Sequence, residues 1–201
     1  MGKVITDEDK LKRTVYGVGY LGVGNYKARK DSQNMTKEYI LWTNMLSRCY
    51  GKPYRNNPKN SPRYEDCTVC EEWHNFQNFA KWCNEQPNFG KFKYSLDKDL
   101  TELGNTVYCP EKCYIVAPVI NGAIKVTSWK KDSHLPLGVF LHPDGKYQAR
   151  VGRESKYSSC PKETAAWFLK KKKEYLTKLA TEYKHEISEA IYQTLINWAP
   201  N

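Results

Sequence analysis

The stretch LPLGVFLHPDGKYQARVGRESKY, which spans residues 135–157, predicts a β-hairpin. Apolar and polar residues alternate along it, and Pro143-Asp144-Gly145 is typical of a tight turn between antiparallel strands. A helix is expected from Pro161, because proline is favoured at the first position of a helix. Residues at helical spacing give this helix one apolar face, namely Leu169, Leu176, Leu179, Ala180 and Tyr183. The lysines at 170–173 are expected on its other faces.

Two further amphipathic helices are predicted upstream. Thr36 can cap a helix over residues 36–50, which Gly51 would end, and a second apolar stripe ends at Pro87. The two apolar faces are expected to pack on each other: Tyr39, Trp42, Met45, Leu46 and Cys49 in the first, and Trp73, Phe76, Phe79, Ala80 and Cys83 in the second. His74 is expected on the surface of the second helix, although it could also ligate a metal.

The region between these helices and the hairpin is predicted to be rich in β-structure. Residues 93–100 are a candidate strand, residues 102–106 a turn, and residues 107–120 a strand or a short helix. Composition places a linker over residues 127–134. A last short helix is expected after Ser188, with Ile191, Leu195 and Trp198 facing inward.

A glycine-rich segment near the N-terminus matches the spacing G-x-G-x-x-G at Gly17, Gly19 and Gly22. A nucleotide-binding turn of this kind needs a helix directly after the third glycine, so that the helix N-terminus can hold phosphate. The residues that follow, Val23-Gly24-Asn25-Tyr26, are poor helix formers. The segment is therefore predicted to be an extended strand or hairpin.

The charge of the chain favours an acidic partner. Thirty-two Lys and Arg against twenty-two Asp and Glu give a net charge of +10, and a small protein this basic usually binds nucleic acid. A solvated surface charge is the alternative. The longest apolar run, residues 114–120, is too short to cross a bilayer, and the N-terminus lacks the apolar core of a secretion signal. We expect a cytoplasmic protein that has no membrane partner.

Four of the seven cysteines form two closely spaced pairs. Cys67 and Cys70 have the spacing C-x2-C, and Cys109 and Cys113 have the spacing C-x3-C. Four thiolates in two such pairs suit a tetrahedral structural Zn²⁺ if the two segments meet in space. The alternative is that some of them are small core residues.

Several motifs occur in order over about residues 16–122. They comprise Tyr39, Trp42, Met45, Leu46, Arg48, Cys49 and Tyr50, then Val69, Cys70, Trp73, Phe76 and Phe79, then Leu96, Asp97, Lys98 and Asp99, and finally Gly104, Asn105, Tyr108, Pro110, Glu111 and Cys113. In this order and spacing they resemble a phage-encoded HNH-type family, whose members are usually called homing-endonuclease-like proteins. This likeness implies a ββα-metal (His-Me finger) nuclease core.

The resemblance also implies a site and a mechanism. In such nucleases one Mg²⁺ or Mn²⁺ stabilises the scissile phosphate and the leaving oxygen, while a basic side chain activates water. Asp97 matches the metal-ligand position, and Lys98 or Asp99 would act near the water. The usual histidine base is replaced by Lys98, and the helix ligand position falls on Lys112. A charged lysine cannot coordinate Mg²⁺, and a lysine base would have to be neutral.

A second resemblance covers about residues 135–184. Leu135-Pro136-Leu137-Gly138-Val139, Gly145-Lys146-Tyr147 with Ala149-Arg150, and Glu163-Thr164-Ala165-Ala166 resemble the Apetala/ethylene-response-factor type of DNA-binding domain. It implies a three-stranded antiparallel sheet that packs on one helix and enters the major groove of double-stranded DNA. Candidate DNA contacts are His142, Lys146, Gln148, Arg150, Arg153 and Lys156.

Together these observations predict an α+β protein with an HNH-like domain over residues 1–126 and an Apetala-type domain over residues 135–201. The first function to consider is a DNA-binding protein that nicks DNA with Mg²⁺ or Mn²⁺. The second is a catalytically degenerate factor that binds DNA or a host protein, such as a phage inhibitor of a host defence or replication complex, because lysines stand where metal ligands should be. A structural zinc module without a nucleic-acid role is the third.

Overall fold

The computed structural model describes residues 6–52, 64–91, 93–124 and 134–200, and the chain separates into two units, Met1–Ala117 and Pro118–Asn201. The helices of the first unit are α1 (Asp7–Leu11), α2 (Lys37–Tyr50), a 3-10 helix (Glu71–His74) and α3 (Phe76–Glu85). Its strands are β1 (Thr68–Val69), β2 (Ser95–Asp97), β3 (Val107–Tyr108) and β4 (Tyr114–Val116). The second unit contains α4 (Pro118–Ile124), β5 (Val139–Leu141), β6 (Tyr147–Val151), β7 (Glu154–Ser158), α5 (Pro161–Glu182) and α6 (Glu189–Ile196). The predicted α+β class is confirmed.

The core of the first unit is built by the two amphipathic helices that the apolar spacing predicts. The Thr36 side chain caps α2 by accepting a hydrogen bond from the Tyr39 amide, and α2 ends at Gly51. The buried faces of α2 and α3 belong to one hydrophobic cluster that includes Trp42, Met45, Leu46, Cys49, Phe76, Phe79, Ala80 and Cys83. Trp42 Nε1 donates to the Trp73 carbonyl at 2.7 Å, which satisfies one buried indole of this core, whereas Trp73 Nε1 is buried without a hydrogen-bond partner among the described residues.

The glycine-rich segment was predicted to be an extended strand or hairpin, and the segment, all of which the structure describes, forms a tight hairpin-like turn without a strand. Val15 pairs with Gly19 in an antiparallel bridge, and Gly17 between them has a φ of 78°, which only glycine adopts without strain. Gly19 lies against α2, where a Cβ would come within 2.5 Å of Leu46 Cδ1. These glycines therefore serve a tight turn and close packing on the core.

The strands of the first unit are short and form two pairs. β1 runs parallel to β3, and β2 runs antiparallel to β4 with Asp97 opposite Tyr114. The candidate strand over residues 93–100 is reduced to Ser95–Asp97, and residues 107–120 hold two strands and the start of α4. A ββα-metal core is not established by this arrangement.

The second unit has a three-stranded antiparallel sheet in the order β5–β6–β7, with α5 packed against it. The predicted hairpin turn at Pro143-Asp144-Gly145 connects β5 to β6, and α5 begins at Pro161 as expected. Ala149 and Val151 of β6 pack with Phe168 of α5 in the core of this unit.

Two side chains that the sequence places outside the core, His74 on a helix surface and Lys172 away from the apolar face of its helix, are buried. His74 is 8% exposed, with Arg13 Nη1 and Glu71 Oε2 3.1 and 3.0 Å from its Nδ1 and the Tyr50 ring edge-on to its ring at 6.1 Å between centroids. Lys172 is 7% exposed on the inner side of α5, where its Nζ donates to the Ala123 carbonyl of α4. Both predictions were wrong because a partner distant in sequence covers each side chain.

The boundary between the two units lies at the start of α4. The predicted linker over residues 127–134 lies outside the described residues except for His134, and α4 belongs to the second unit. In the part of the chain that the structure describes, no helix has both the length and the apolar character needed to cross a membrane.

Candidate nucleic-acid interface

The sheet of the second unit has two chemically different faces. Ala149 and Val151 of β6 are buried under α5, whereas Arg150 is exposed on the opposite side. Because side chains alternate along a strand, Gln148 shares the outward face with Arg150. The pairing of β5 with β6 adds Phe140 to this face, since Phe140 lies opposite Gln148.

The outward face also carries an ordered aromatic and polar cluster. Tyr157 of β7 lies opposite Gln148, and Gln148 Nε2 donates to Tyr157 Oη at 2.8 Å. The His142 ring stands edge-on to the Tyr157 ring, with 5.4 Å between their centroids. Tyr157 remains 46% exposed, so the cluster is open to a ligand.

The turn between β5 and β6 is fixed by Asp144. Its Oδ1 accepts a hydrogen bond from the Lys146 amide at 3.0 Å and lies 2.9 Å from His142 Nδ1. These two groups hold the pKa of the Asp144 carboxyl below its usual value, with the Lys146 amide contributing most. The turn therefore presents exposed Lys146 from a defined backbone at one end of the outward face.

Lys156 and Arg153 do not lie on the outward face of the sheet. Lys156 is opposite Ala149, on the side of the sheet that faces α5, and its Nζ is 2.9 Å from Glu163 Oε1 of that helix. This contact is the main reason that the pKa of Glu163 is lowered. Arg153 is exposed in the turn between β6 and β7. Of the six candidate contacts, the structure gathers Gln148, Arg150, His142 and Lys146 along one face and its adjoining turn.

Tyr157 and Phe140 were missed as members of this face. Alternation of polar and apolar residues shows which residues of one strand share a side. It does not show which residues of two strands are opposite each other, and that register brings Tyr157 to Gln148.

The second candidate cluster lies at the end of β2. Lys98 is only 6% exposed, and its Nζ donates to the Asp99 carboxylate and to the Asn105 carbonyl. Its Nζ also lies 5.8 Å from the centre of the Tyr108 ring. All three contacts suit a charged ammonium, which acts here as a hydrogen-bond donor.

Asn105 closes the loop that carries this cluster. Its Nδ2 donates to the carbonyls of Lys98 and Val107 at 2.9 and 2.8 Å, and its Oδ1 accepts from the Val107 amide at 3.1 Å. Asp97 is 7% exposed, and its Oδ1 accepts from the Asp99 amide at 2.9 Å. Asp97, Lys98 and Asp99 are thus brought together in a loop with a fixed backbone.

Lys112, at the position expected for a metal ligand, forms an ion pair with Glu102. Its Nζ lies 2.9 Å from Glu102 Oε2, and both side chains are exposed. The hydrogen bond that Lys112 donates to the Glu102 carboxylate raises the pKa of Lys112, so this side chain carries a positive charge and cannot bind a divalent cation.

The four cysteines of the two closely spaced sequence pairs are thiols in two different environments. Cys67 is buried next to Lys98, whose ammonium partly offsets the effect of burial in raising the pKa of the thiol. Cys70, Cys109 and Cys113 interact electrostatically with one another, and burial is the main cause of their raised pKa values. Among the described residues, which include all four cysteines, no group of three or more His, Cys, Asp or Glu is placed to hold a metal ion. Structural Zn²⁺ stays a prediction.

Comparison with known proteins identified no relative of this chain. No family model matches the chain, and neither the curated proteins nor the solved structures contain a significant match.

Proposed function

We propose that this protein binds double-stranded DNA through the outward face of β5, β6 and β7. Gln148 and Arg150 lie side by side on that face, and Tyr157 lies beside them on the neighbouring strand. Arginine matches the acceptor pair of guanine in the major groove, and glutamine matches the donor and acceptor of adenine. This gathering of base-reading side chains on one face is the observation that carries the proposal.

The charge of the chain supports the same function. The net charge of +10 favours a polyanion, and exposed Lys146 and Arg153 flank the outward face at the two turns of β6. Phosphate contacts from such positions would orient the sheet on the duplex, while Gln148 and Arg150 would reach base edges. The resemblance of residues 135–184 to the Apetala/ethylene-response-factor type of domain is consistent with this division of roles.

For the first unit, two functions follow from the resemblance to the HNH-type family. One is metal-dependent nicking of DNA, in which Asp97 holds Mg²⁺ or Mn²⁺ and Lys98 or Asp99 acts near the attacking water. The other is a non-catalytic role in binding DNA or a host protein. The contacts of Lys98 favour the second, because an ammonium that donates to Asp99 and Asn105 has no lone pair with which to accept a proton.

A pair of variants tests DNA binding by the outward face. Arg150→Ala is expected to weaken binding of a labelled duplex by about 1–3 kcal/mol, and Lys156→Ala, on the other side of the sheet, by much less. Fluorescence anisotropy measures both affinities under one salt condition. Equal losses from the two substitutions would contradict the proposal.

A nicking assay separates the two functions of the first unit. Purified protein is incubated with supercoiled plasmid in Mg²⁺, in Mn²⁺ and in chelator, next to Asp97→Ala. Retained duplex binding without nicking is expected for a non-catalytic unit. Metal-dependent nicking that disappears in Asp97→Ala would establish a nuclease instead.

A further inference from the structure

An apolar groove with two lysines lies on the second unit, away from the outward face of the sheet. It has a volume of about 750 Å³ and is formed by α5 and the segment that follows α6. Leu169 and Trp198 provide apolar surface, while Lys170, Lys173, Glu174 and Thr177 complete the part of the lining that belongs to α5.

The groove is positively charged. Among the described residues no carboxylate pairs with Lys170 or Lys173, and both side chains are exposed. The one acidic residue of the lining, Glu174, has its Oε2 3.2 Å from Lys171 Nζ and is thereby partly neutralised. Two cations next to apolar surface favour a ligand that is both acidic and apolar.

Trp198 is held in place from inside the unit. Lys172 Nζ lies 5.9 Å from the centre of the Trp198 ring, and the same ammonium donates to the Ala123 carbonyl of α4. Trp198 also packs against the core cluster of Ala149, Val151 and Phe168. A tryptophan fixed in this way loses little conformational freedom when a partner covers it, and tryptophan is enriched at the centres of protein interfaces.

Duplex DNA on the outward face of the sheet would not cover this groove. Lys170, Lys173 and Thr177 are exposed on α5, whereas the inner side of that helix packs on β6 through Phe168. Trp198, which forms the other wall, packs against Ala149 and Val151, whose side chains point away from the outward face. The groove and the outward face therefore lie on opposite sides of the sheet.

We propose that this groove binds an acidic, amphipathic segment of a partner protein. Carboxylates of the segment would pair with Lys170 and Lys173, and its apolar side chains would cover Leu169 and Trp198. Single-stranded nucleic acid stacks successive bases on several aromatic side chains, whereas Trp198 is the one aromatic residue among the described residues that line this groove, so a peptide is favoured. The inference concerns a surface different from the DNA-binding face and does not depend on it.

A display library of random short peptides, selected against the purified full chain, tests the proposal. Selected sequences are expected to be rich in Asp and Glu together with Leu, Phe or Trp. A synthetic peptide of the selected sequence should bind the double variant Lys170→Glu, Lys173→Glu at least about tenfold more weakly than the unaltered protein. A selection without acidic residues would overturn the proposal.

Matched variants make the test specific to the groove. Lys162→Glu with Lys178→Glu changes the charge of the same helix by the same amount outside the groove, and should leave peptide binding nearly unchanged. Thr177→Trp fills the groove from an exposed position and should block the peptide without removing a cation. Equal weakening by the two double variants would overturn the proposal. The proposal would also be overturned if Lys170→Glu, Lys173→Glu lost binding to duplex DNA or to oligothymidine while the control double variant kept it. The groove would then be a nucleic-acid surface.

Discussion

Gln148 and Tyr157 lie opposite each other on β6 and β7, and Gln148 Nε2 donates a hydrogen bond to Tyr157 Oη at 2.8 Å. The pair sits on the side of the sheet that faces away from α5, next to Arg150. The hydrogen bond orients the Gln148 amide, so its remaining donor and acceptor are directed before a ligand arrives. A side chain that is oriented in advance loses less conformational entropy on binding.

Tyr157→Phe is expected to weaken duplex binding without destabilising the fold. The substitution removes the hydroxyl that orients Gln148, a contribution of about 1 kcal/mol, or roughly fivefold in affinity. Tyr157 is exposed, so the free energy of unfolding should change by less than about 0.5 kcal/mol. Tyr147→Phe, on the same sheet but on the side facing α5, is the control and should bind DNA normally. Equal affinity of Tyr157→Phe and Tyr147→Phe would show that Tyr157 has no role in binding.

Lys98→Met is expected to destabilise the first unit. The substitution leaves the Asn105 carbonyl and the Asp99 carboxylate without their ammonium partner, and removing one member of a buried ion pair costs about 3–5 kcal/mol. Because Asp99 is about a third exposed and water can replace part of the contact, the lower end of this range applies.

Urea unfolding measures this effect, with Lys112→Met as the matched control. Lys112 pairs with Glu102 at the surface, where such a pair contributes at most about 1 kcal/mol. If Lys98→Met unfolds like the unaltered protein yet loses a metal-dependent nicking activity, Lys98 acts in catalysis and not in folding.

Lys172 makes the stability of the second unit depend on pH. Burial lowers the pKa of Lys172 from 10.5 to about 8 in the folded protein. Between about pH 8 and pH 10.5 the unfolded chain therefore binds more protons than the folded one, so this group makes stability rise with pH across that window. Its full effect corresponds to about 3 kcal/mol.

Comparison with Lys172→Met isolates this contribution from other groups that titrate at alkaline pH. The free energy of unfolding of the unaltered protein, minus that of the variant, should increase by about 3 kcal/mol between about pH 8 and pH 10.5. Denaturant unfolding at several pH values measures the difference. A difference that does not change with pH would mean that Lys172 is not buried as a titrating amine.

Gly138→Ala is expected to disrupt the packing of α5 on the sheet. Gly138 has a φ of 75°, and a Cβ there would come within 2.4 Å of the buried Phe168 ring. Gly145→Ala is the matched control, since Gly145 has a φ of 83° with open space around it. Both variants bear the cost of an alanine at positive φ. The free energy of unfolding of Gly138→Ala should be lower than that of Gly145→Ala by about 1–3 kcal/mol. Equal melting temperatures would contradict the packing described for Phe168.

Local signals were sufficient for those elements of the fold that begin or end at a cap, a proline or a tight turn. The Pro143-Asp144-Gly145 turn, the cap at Thr36 and the start of α5 at Pro161 depend on residues close in sequence, and each was predicted correctly. The sites depend on contacts between distant residues. Lys156 was grouped with Arg150 although Glu163 of α5 lies against it. Lys172 was expected away from the apolar face of its helix, although it is buried and donates a hydrogen bond to the Ala123 carbonyl.

The ion pair of Lys98 illustrates the same limit. The sequence LDKD gives no indication that Lys98 is buried and the Asp99 carboxylate about a third exposed, because that depends on how Asn105 closes the loop. Composition predicts a basic protein, but the distribution of its charges between faces follows from strand register and helix packing.

Duplex binding as a function of salt concentration tests the central claim most directly. If the outward face of β5, β6 and β7 and its flanking turns engage about six phosphates, the logarithm of affinity should fall with the logarithm of salt concentration with a slope near −5. Fluorescence anisotropy of a labelled duplex gives this slope for the unaltered protein, and Arg150→Ala should lower the affinity at every salt concentration. A slope near zero, or an affinity that Arg150→Ala leaves unchanged, would contradict DNA binding by this face.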